Sequence, residues 1–132
     1  MTAGIDMPGS ISRGMSDPEF SREMRFFTGS FKIVVADIET VATFDDGKLI
    51  DVIETASVAD DHCKIVIRGT REHWDFMLEQ YPVPFYQCLQ TTVVKHGMQM
   101  TTTNESFAYL PAFNRLVQLL RAARMGAVNG TA

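Results

Sequence analysis

The tripeptide Asp45-Asp46-Gly47 separates two runs in which apolar and polar residues alternate, and this constrains the chain more than any other stretch does. Thr40 to Phe44 precedes it and Lys48 to Glu54 follows it. An Asp-Gly step between alternating runs is a strong signal for a tight hairpin, since both turn residues tolerate the positive φ that such turns require. The chain therefore contains an antiparallel ribbon, and a ribbon must be extended and covered to be stable. Phe31, Ile33 and Val35 alternate with Lys32 and Val34, and Ile38, Val41 and Phe44 continue beyond Ala36-Asp37, which reads as a bulge or a tight bend. Lys64 to Arg68, overlapping an apolar stretch from Cys63 to Ile67, supplies another strand. Strands that are apolar on one face and mixed on the other call for helices on a single side.

The helical segments can be read from period and punctuation. Ser16-Asp17-Pro18-Glu19 opens a short helix with Phe20, Met24 and Phe27 on its inner side, ended by Gly29. Gly69-Thr70 opens a helix over Thr70 to Gln80, with Trp74, Met77 and Leu78 inward and Arg71, Glu72, Asp75 and Glu79 outward. Pro82 and Pro84 stop it. A second helix runs from Phe85 to His96 with Phe85, Leu89, Thr92 and Val93 on one face. Met98 and Met100 alternate with Gln99 and Thr101 in a short strand from Gly97 to Thr101. A closing helix over Glu105 to Arg124 carries Tyr109, Phe113, Leu116, Val117 and Leu120 on one face, broadened by Phe107, Leu110 and Leu119. The expected division is a flexible arm over residues 1–15, one α+β domain over 16–124, and a flexible tail over 125–132.

Charge and cysteine usage narrow the partners. Lysine and arginine number 12 against 16 acidic residues, a net charge of −4, and no basic run interleaves with aromatics. Nucleic acid is therefore not an expected partner. Arg115, Arg121 and Arg124 are read as favourable charges near a helix end. Cys63 and Cys88 belong to no CxxC and are expected to be reduced, buried thiols. No basic stretch followed by an apolar one opens the chain, and no apolar run has transmembrane length. Together these features lead to the expectation of a cytoplasmic protein without integral membrane association.

The order of helix, hairpin with a D-D-G turn, strand, Trp-bearing helix, proline corner, second helix, short strand and long helix resembles the sterol-carrier-protein-like family, the type-two carriers of lipids. The matching words are Phe44-Asp45-Asp46-Gly47-Lys48, the Ile65-Val66-Ile67 strand with Thr70-Arg71-Glu72-His73-Trp74, and Tyr109-Leu110-Pro111-Ala112-Phe113-Asn114-Arg115-Leu116. The resemblance spans residues 16–124. It implies an α+β fold with a five-stranded, mostly antiparallel sheet covered on one face by helices. It also implies an apolar tunnel between the two layers that accepts fatty acyl chains, sterols or similar lipids. Thr101-Thr102-Thr103-Asn104 stands where the family usually carries a glycine and an acidic or polar residue, implying a cavity edge that differs or is partly closed there.

The residues that would line such a tunnel are Trp74, Met77, Phe85, Leu89, Met98, Met100, Phe107, Leu110 and Phe113. Methionine is flexible and polarisable, which suits a pocket for variable chains. The same residues would equally pack a solid core. Two other readings compete with a binding domain. One is a small acid–base enzyme of dehydratase or isomerase type, using His62 with Asp60 or Asp61, or His96 with Tyr86 or Tyr109. No spacing imposes either pair, and no G-x-S-x-G, P-loop or G-x-G-x-x-G occurs. The other is a small accessory protein or homodimer that buries its closing helix in an interface. His62 beside Asp60 and Asp61 does not make a metal site, since three adjacent loop residues cannot converge on one ion; His73 and His96 read as structural. The sequence therefore leads to non-catalytic binding of an apolar small molecule or lipid, with no catalytic residue, metal or cofactor assigned.

Overall fold

The structure, a computed structural model, describes residues 5–128. Eleven principal elements follow one another: α1 (Met7–Gly14), α2 (Pro18–Glu23), β1 (Gly29–Val35), β2 (Ile38–Asp45), β3 (Lys48–Glu54), β4 (Ile65–Gly69), α3 (Arg71–Met77), α4 (Leu89–His96), β5 (Gln99–Met100), α5 (Asn104–Ala108) and α6 (Leu110–Val128). The strands form one sheet in the order β3-β2-β1-β4-β5. Every neighbouring pair is antiparallel except β1 with β4, where Phe31 lies beside Ile65 and Val35 beside Gly69. This is the α+β, mostly antiparallel five-stranded sheet that the sequence leads one to expect.

Both hairpin turns have physical causes. Asp45 pairs with Lys48, leaving Asp46-Gly47 as a two-residue turn in which both residues have positive φ. A side chain at Gly47 would meet the Arg25 carbonyl, and the Gly47 N–H instead donates to Phe27 O. Ala36-Asp37 joins β1 to β2 as the other two-residue turn, with Ala36 at φ +59°, so the bend replaces the bulge that was the alternative reading.

Side chains alternate between two covered faces. Phe31, Ile33 and Val35 of β1, Ala42 and Phe44 of β2, and Ile65 and Ile67 of β4 face the helices and join one apolar core. Lys32, Val34, Val41, Val66 and Arg68 share the opposite face, as their register shows. There the segment from β3 to β4 crosses over them through a 3-10 turn, Asp60–His62. The buried Lys32, 2% exposed, donates through Nζ to Val58 O, to Asp60 at 2.9 Å and to Glu39 at 3.0 Å. Asp60 also receives both terminal nitrogens of Arg68, at 3.0 and 3.1 Å. Burial alone would pull the Lys32 ammonium's pKa down, but the bonds to Asp60 and Glu39 outweigh it and push it up.

The structure departs from the sequence reading at several places. Residues 1–15, expected as a loose arm, contain α1, capped by Asp6 through Gly9 N–H, with Met7 and Ile11 buried in the core. Residues 1–4 and 129–132 of the expected arm and tail lie outside the described residues, and α6 runs through the tail's beginning to Val128. The single closing helix is two helices, broken at Tyr109 because Pro111 has no N–H to donate to Phe107. The Trp-bearing helix ends at Met77 and the next begins at Leu89, so the expected proline corner widens into a loop over residues 78–88, taking in 78–80 and 85–88 where helix was expected. Among the described residues no helix is long and apolar enough to cross a membrane. The apolar face of α6 is occupied within the chain, where Phe113, Leu116, Val117 and Leu120 are all buried in the core.

Candidate apolar binding site

The region under α3 and α4 is built outward from Gly69, the last residue of β4. A Cβ there would come within 2.8 Å of Trp74 Nε1 and 2.9 Å of Met98 Cε, so the absence of a side chain lets both residues settle on the sheet. Trp74 is held by an indole N–H bond of 3.1 Å to Val34 O, which satisfies its one donor inside the core. Thr70 caps α3 reciprocally with His73: Thr70 Oγ1 accepts from His73 N–H, and His73 Nδ1 accepts from Thr70 N–H.

From Trp74 the interior continues to Met77, whose sulfur is 3.7 Å from Thr92 Oγ1, and then to Leu89 at the start of α4. The Leu89 N–H donates to Asn114 Oδ1 of α6, so a side chain from the closing helix caps α4. Beside Asn114, Phe113 meets Phe31 edge-on at 5.0 Å, returning the interior to the sheet. Trp74, Met77, Leu89, Met98 and Phe113 are essentially sealed from solvent. Met100 and Leu110 are partly buried against the same core.

Seven of the nine tunnel candidates therefore share one interior, and two do not. Phe107 is 61% exposed, because the short α5 turns Ser106 inward instead. Phe85 is 45% exposed and lies in the loop before α4, not on its inner face. It adopts φ +72°, a conformation unusual for an aromatic residue. Its N–H donates to Gln87 Oε1 and its carbonyl accepts from Thr92 Oγ1, while Lys95 Nζ lies 5.1 Å above its ring.

The loop over residues 78–88 forms the outer wall of this interior. Tyr86, not among the sequence candidates for the tunnel, is 7% exposed; it packs 5.3 Å from Phe76 and stacks on His96 at 3.8 Å. The His96 ring bonds Pro84 O, and His73 Nε2 donates to His96 O at 2.7 Å, since its Nδ1 is already an acceptor. Arg121 of α6 clasps both ends of the loop, donating to Met77 O at 2.6 Å and to Gln87 O at 3.5 Å. Burial pulls the Arg121 pKa below its usual value, yet a guanidinium stays charged. The sequence assigns Arg121 only to a helix dipole; its target is the loop.

The acid–base pairs considered from the sequence are not assembled as such. Asp60 is engaged by Lys32 and Arg68, His62 is exposed, His96 stacks on Tyr86 without sharing a hydrogen bond, and Tyr109 lies edge-on to Phe27. Among the described residues no group of three or more His, Cys, Asp or Glu side chains could hold a metal ion. Cys63 and Cys88 are free thiols, half-buried, and burial pushes the Cys63 pKa up. On the far side of the interior Met100 also lines an open groove of about 440 Å³, together with Asp60, Cys63, Val66, Arg68 and Thr101.

Comparison with known proteins places the architecture. No family model matches the sequence, and no curated protein matches it. Two solved structures match the fold. A crystal structure of sterol carrier protein 2 aligns with a TM-score of 0.65 at 16% identity, covering 86% of this chain and 92% of that one. The solution structure of a conserved hypothetical protein of Thermus thermophilus, described as possibly a sterol carrier protein, aligns with a TM-score of 0.61 at 15% identity, covering 87% and 83%. The chain has the fold of sterol carrier protein 2.

Proposed function

We propose that this protein binds an apolar ligand, a fatty acyl chain, sterol or similar lipid, in the interior between its sheet and its helices, and that it does so without chemistry. The observation that carries the reading is the make-up of that interior. Three methionines, Met77, Met98 and Met100, adjoin Trp74, Leu89 and Phe113 under a loop that is hung on hydrogen bonds. Unbranched thioether side chains can swing between rotamers at low cost, so a region rich in them can part where a Leu or Ile core would resist. Likeness in fold to sterol carrier protein 2 supports the same reading.

The energetics are sufficient. Transferring about ten methylenes from water yields ~8 kcal/mol, which corresponds to a micromolar dissociation constant before any opening cost. The opening cost falls on the bonds that hold residues 78–88, each worth about 1 kcal/mol net. A ligand of this kind needs no charged anchor, consistent with the uncharged walls.

Native mass spectrometry of the freshly purified protein, followed by organic extraction, tests the proposal. The expected outcome is a stoichiometric apolar molecule, or, for protein stripped of it, saturable uptake of a fluorescent fatty acid. A clean protein that takes up no such probe at micromolar concentration sinks the reading.

A further inference from the structure

The loop over residues 78–88 buries Leu78 and Tyr86 at its two ends and presents the apolar side chains of its tip outward. Tyr81 is 84% exposed, Val83 48% and Phe85 45%, and they alternate with Pro82 and Pro84. Proline stiffens this Tyr-Pro-Val-Pro-Phe tip and keeps the residues before it extended. The outward pose is enforced by the rest of the domain. Tyr86 N–H donates to Val83 O, the His96 ring bonds Pro84 O, and Gln87 and Thr92 bond the N–H and the carbonyl of Phe85. These contacts hold Phe85 at positive φ, a strained conformation that has to be maintained by its surroundings. The backbone of the tip is thus bonded from below while Tyr81, Val83 and Phe85 face solvent.

Charge indicates what such a tip meets. From Phe76 to His96 the only acidic residue is Glu79 and the only lysine or arginine is Lys95, within a chain of net charge −4. Two cations adjoin the loop, Lys95 over the Phe85 ring and the half-buried Arg121 at its base, whose guanidinium is taken up by Met77 O and Gln87 O. That is too little for the basic footprint of a nucleic-acid or strongly anionic-membrane site. A Tyr-bearing, proline-braced, electrically balanced apolar tip suits the headgroup boundary of a neutral bilayer, where Tyr is enriched and apolar area supplies the affinity. The tip also adjoins the interior: Thr92 Oγ1 touches both Phe85 O and the sulfur of Met77. An apolar ligand held in that interior has its reservoir in membranes and not in water.

We infer that the 81–85 tip docks on zwitterionic phospholipid surfaces and is the place where the ligand is exchanged. The inference rests on the binding function proposed above. Docking and ligand uptake are separable, because uptake can be measured with a fatty acid delivered from solution and docking with vesicles alone.

The test is cosedimentation with phosphatidylcholine vesicles at low and at high salt. The wild-type protein is expected to partition onto them with little salt dependence. Combining Tyr81→Ser with Val83→Ser, two exposed positions, is expected to lower partition at least tenfold while uptake of the fatty acid from solution is unchanged. Phe26→Ser, at an exposed aromatic position elsewhere, is the control and leaves partition intact. In a Tyr81→Trp variant, vesicles are expected to shift the added emission to the blue relative to the buried Trp74. The docking inference is overturned by absence of wild-type partition, by equal loss in the Phe26→Ser control, or by a lipid-free dimer that the double substitution dissolves, which would assign the tip to a second copy of the chain. Vesicle docking by a protein that takes up no fatty acid from solution would sustain the surface and sink the binding function.

Discussion

On one face of the sheet Lys32, Glu39, Asp60 and Arg68 hold the crossover segment by charge and directed hydrogen bonds. On the other, Trp74, Met77, Met98 and Phe113 hold the helices mainly by contact. The difference lies in how each layer tolerates displacement. A charge-assisted bond is short and directional and weakens sharply when its partners separate. Dispersion contacts between flexible apolar groups can be exchanged for contacts with a ligand at little net cost. The ionic face is therefore the fixed wall of the domain and the methionine-rich face the adaptable one, which favours the helical side for ligand binding.

The strongest way to break this comparison is to cut into the adaptable side. Phe113→Ala removes a ring that contacts Phe31 in the sealed interior and should cost about 3–5 kcal/mol in a denaturant titration. If the interior accepts ligand, a small apolar molecule should restore part of that loss by filling the space. A rigid wall would show the loss without the rescue.

Lys32→Ala acts on the fixed side and should cost less, about 2 kcal/mol, because Asp60 keeps Arg68 and is half-exposed, which limits the charge left stranded. Lys32→Met should recover part of the loss, since an aliphatic side chain of similar length replaces the buried stem without an ammonium to solvate. Equilibrium urea unfolding of both variants checks the order. A Met variant worse than the Ala variant would mean that the charge, and not the packed stem, sustains the crossover.

Acid sharpens the contrast further. Hydrogen bonds from Arg68 and then Lys32 hold the Asp60 carboxyl at about 2 in place of 3.8. Arg115, together with the Phe20 N–H, does the same for Asp17, also at about 2. A carboxylate whose folded pKa is depressed stabilises the fold above its unfolded value, and that stabilisation is lost as pH falls from about 4 through about 2. The melting temperature of the wild type should therefore fall more steeply over that window than that of Asp60→Asn, in which one of the two contributions is already gone. Parallel curves would show that the ion pairs place the crossover without stabilising it. The apolar core under the helices holds no carboxylate, so the helical side enters this acid limb only through Asp17, the cap of α2, and its partner Arg115 on α6.

What can be read in the sequence follows the same division. The hairpin is legible because Asp46-Gly47 supplies a turn that few other pairs supply, and the interior because Trp74, Met77, Leu89 and Phe113 fall at helical spacing. The ionic cluster escapes a sequence reading because Lys32, alternating with Phe31 and Ile33, looks solvent-facing. Its neighbour on that face, Val34, is the available signal that the face is covered, but its partner Asp60 lies 28 residues away and only the crossover brings it close. Helix α1 is hidden because Met7 and Ile11 make a single i, i+4 pair in a stretch otherwise composed like a loop. Phe85 falls on a helix face by pattern because Phe85, Leu89 and Thr92 keep helical spacing; the local hydrogen bonds to Gln87 and Thr92 hold it outside.

The smallest expected effect on stability bears most directly on how the adaptable side opens. Arg121 ties Met77 O to Gln87 O across the base of the loop and replaces no apolar contact of the core. Arg121→Gln should therefore lower global stability by only about 1 kcal/mol, the worth of a hydrogen bond or two. Amide hydrogen exchange should nonetheless accelerate over residues 78–88 while β1 and β2 keep their protection, because a local opening samples only the bonds that close it. If Arg121 clasps the route into the interior, the variant should also take up a fluorescent fatty acid faster than the wild type at nearly unchanged affinity, since the clasp opposes passage and touches the interior residue Met77 only at its backbone carbonyl. Faster exchange without faster uptake would keep Arg121 as a loop brace and move the ligand's path to the groove that Met100 lines on the far side.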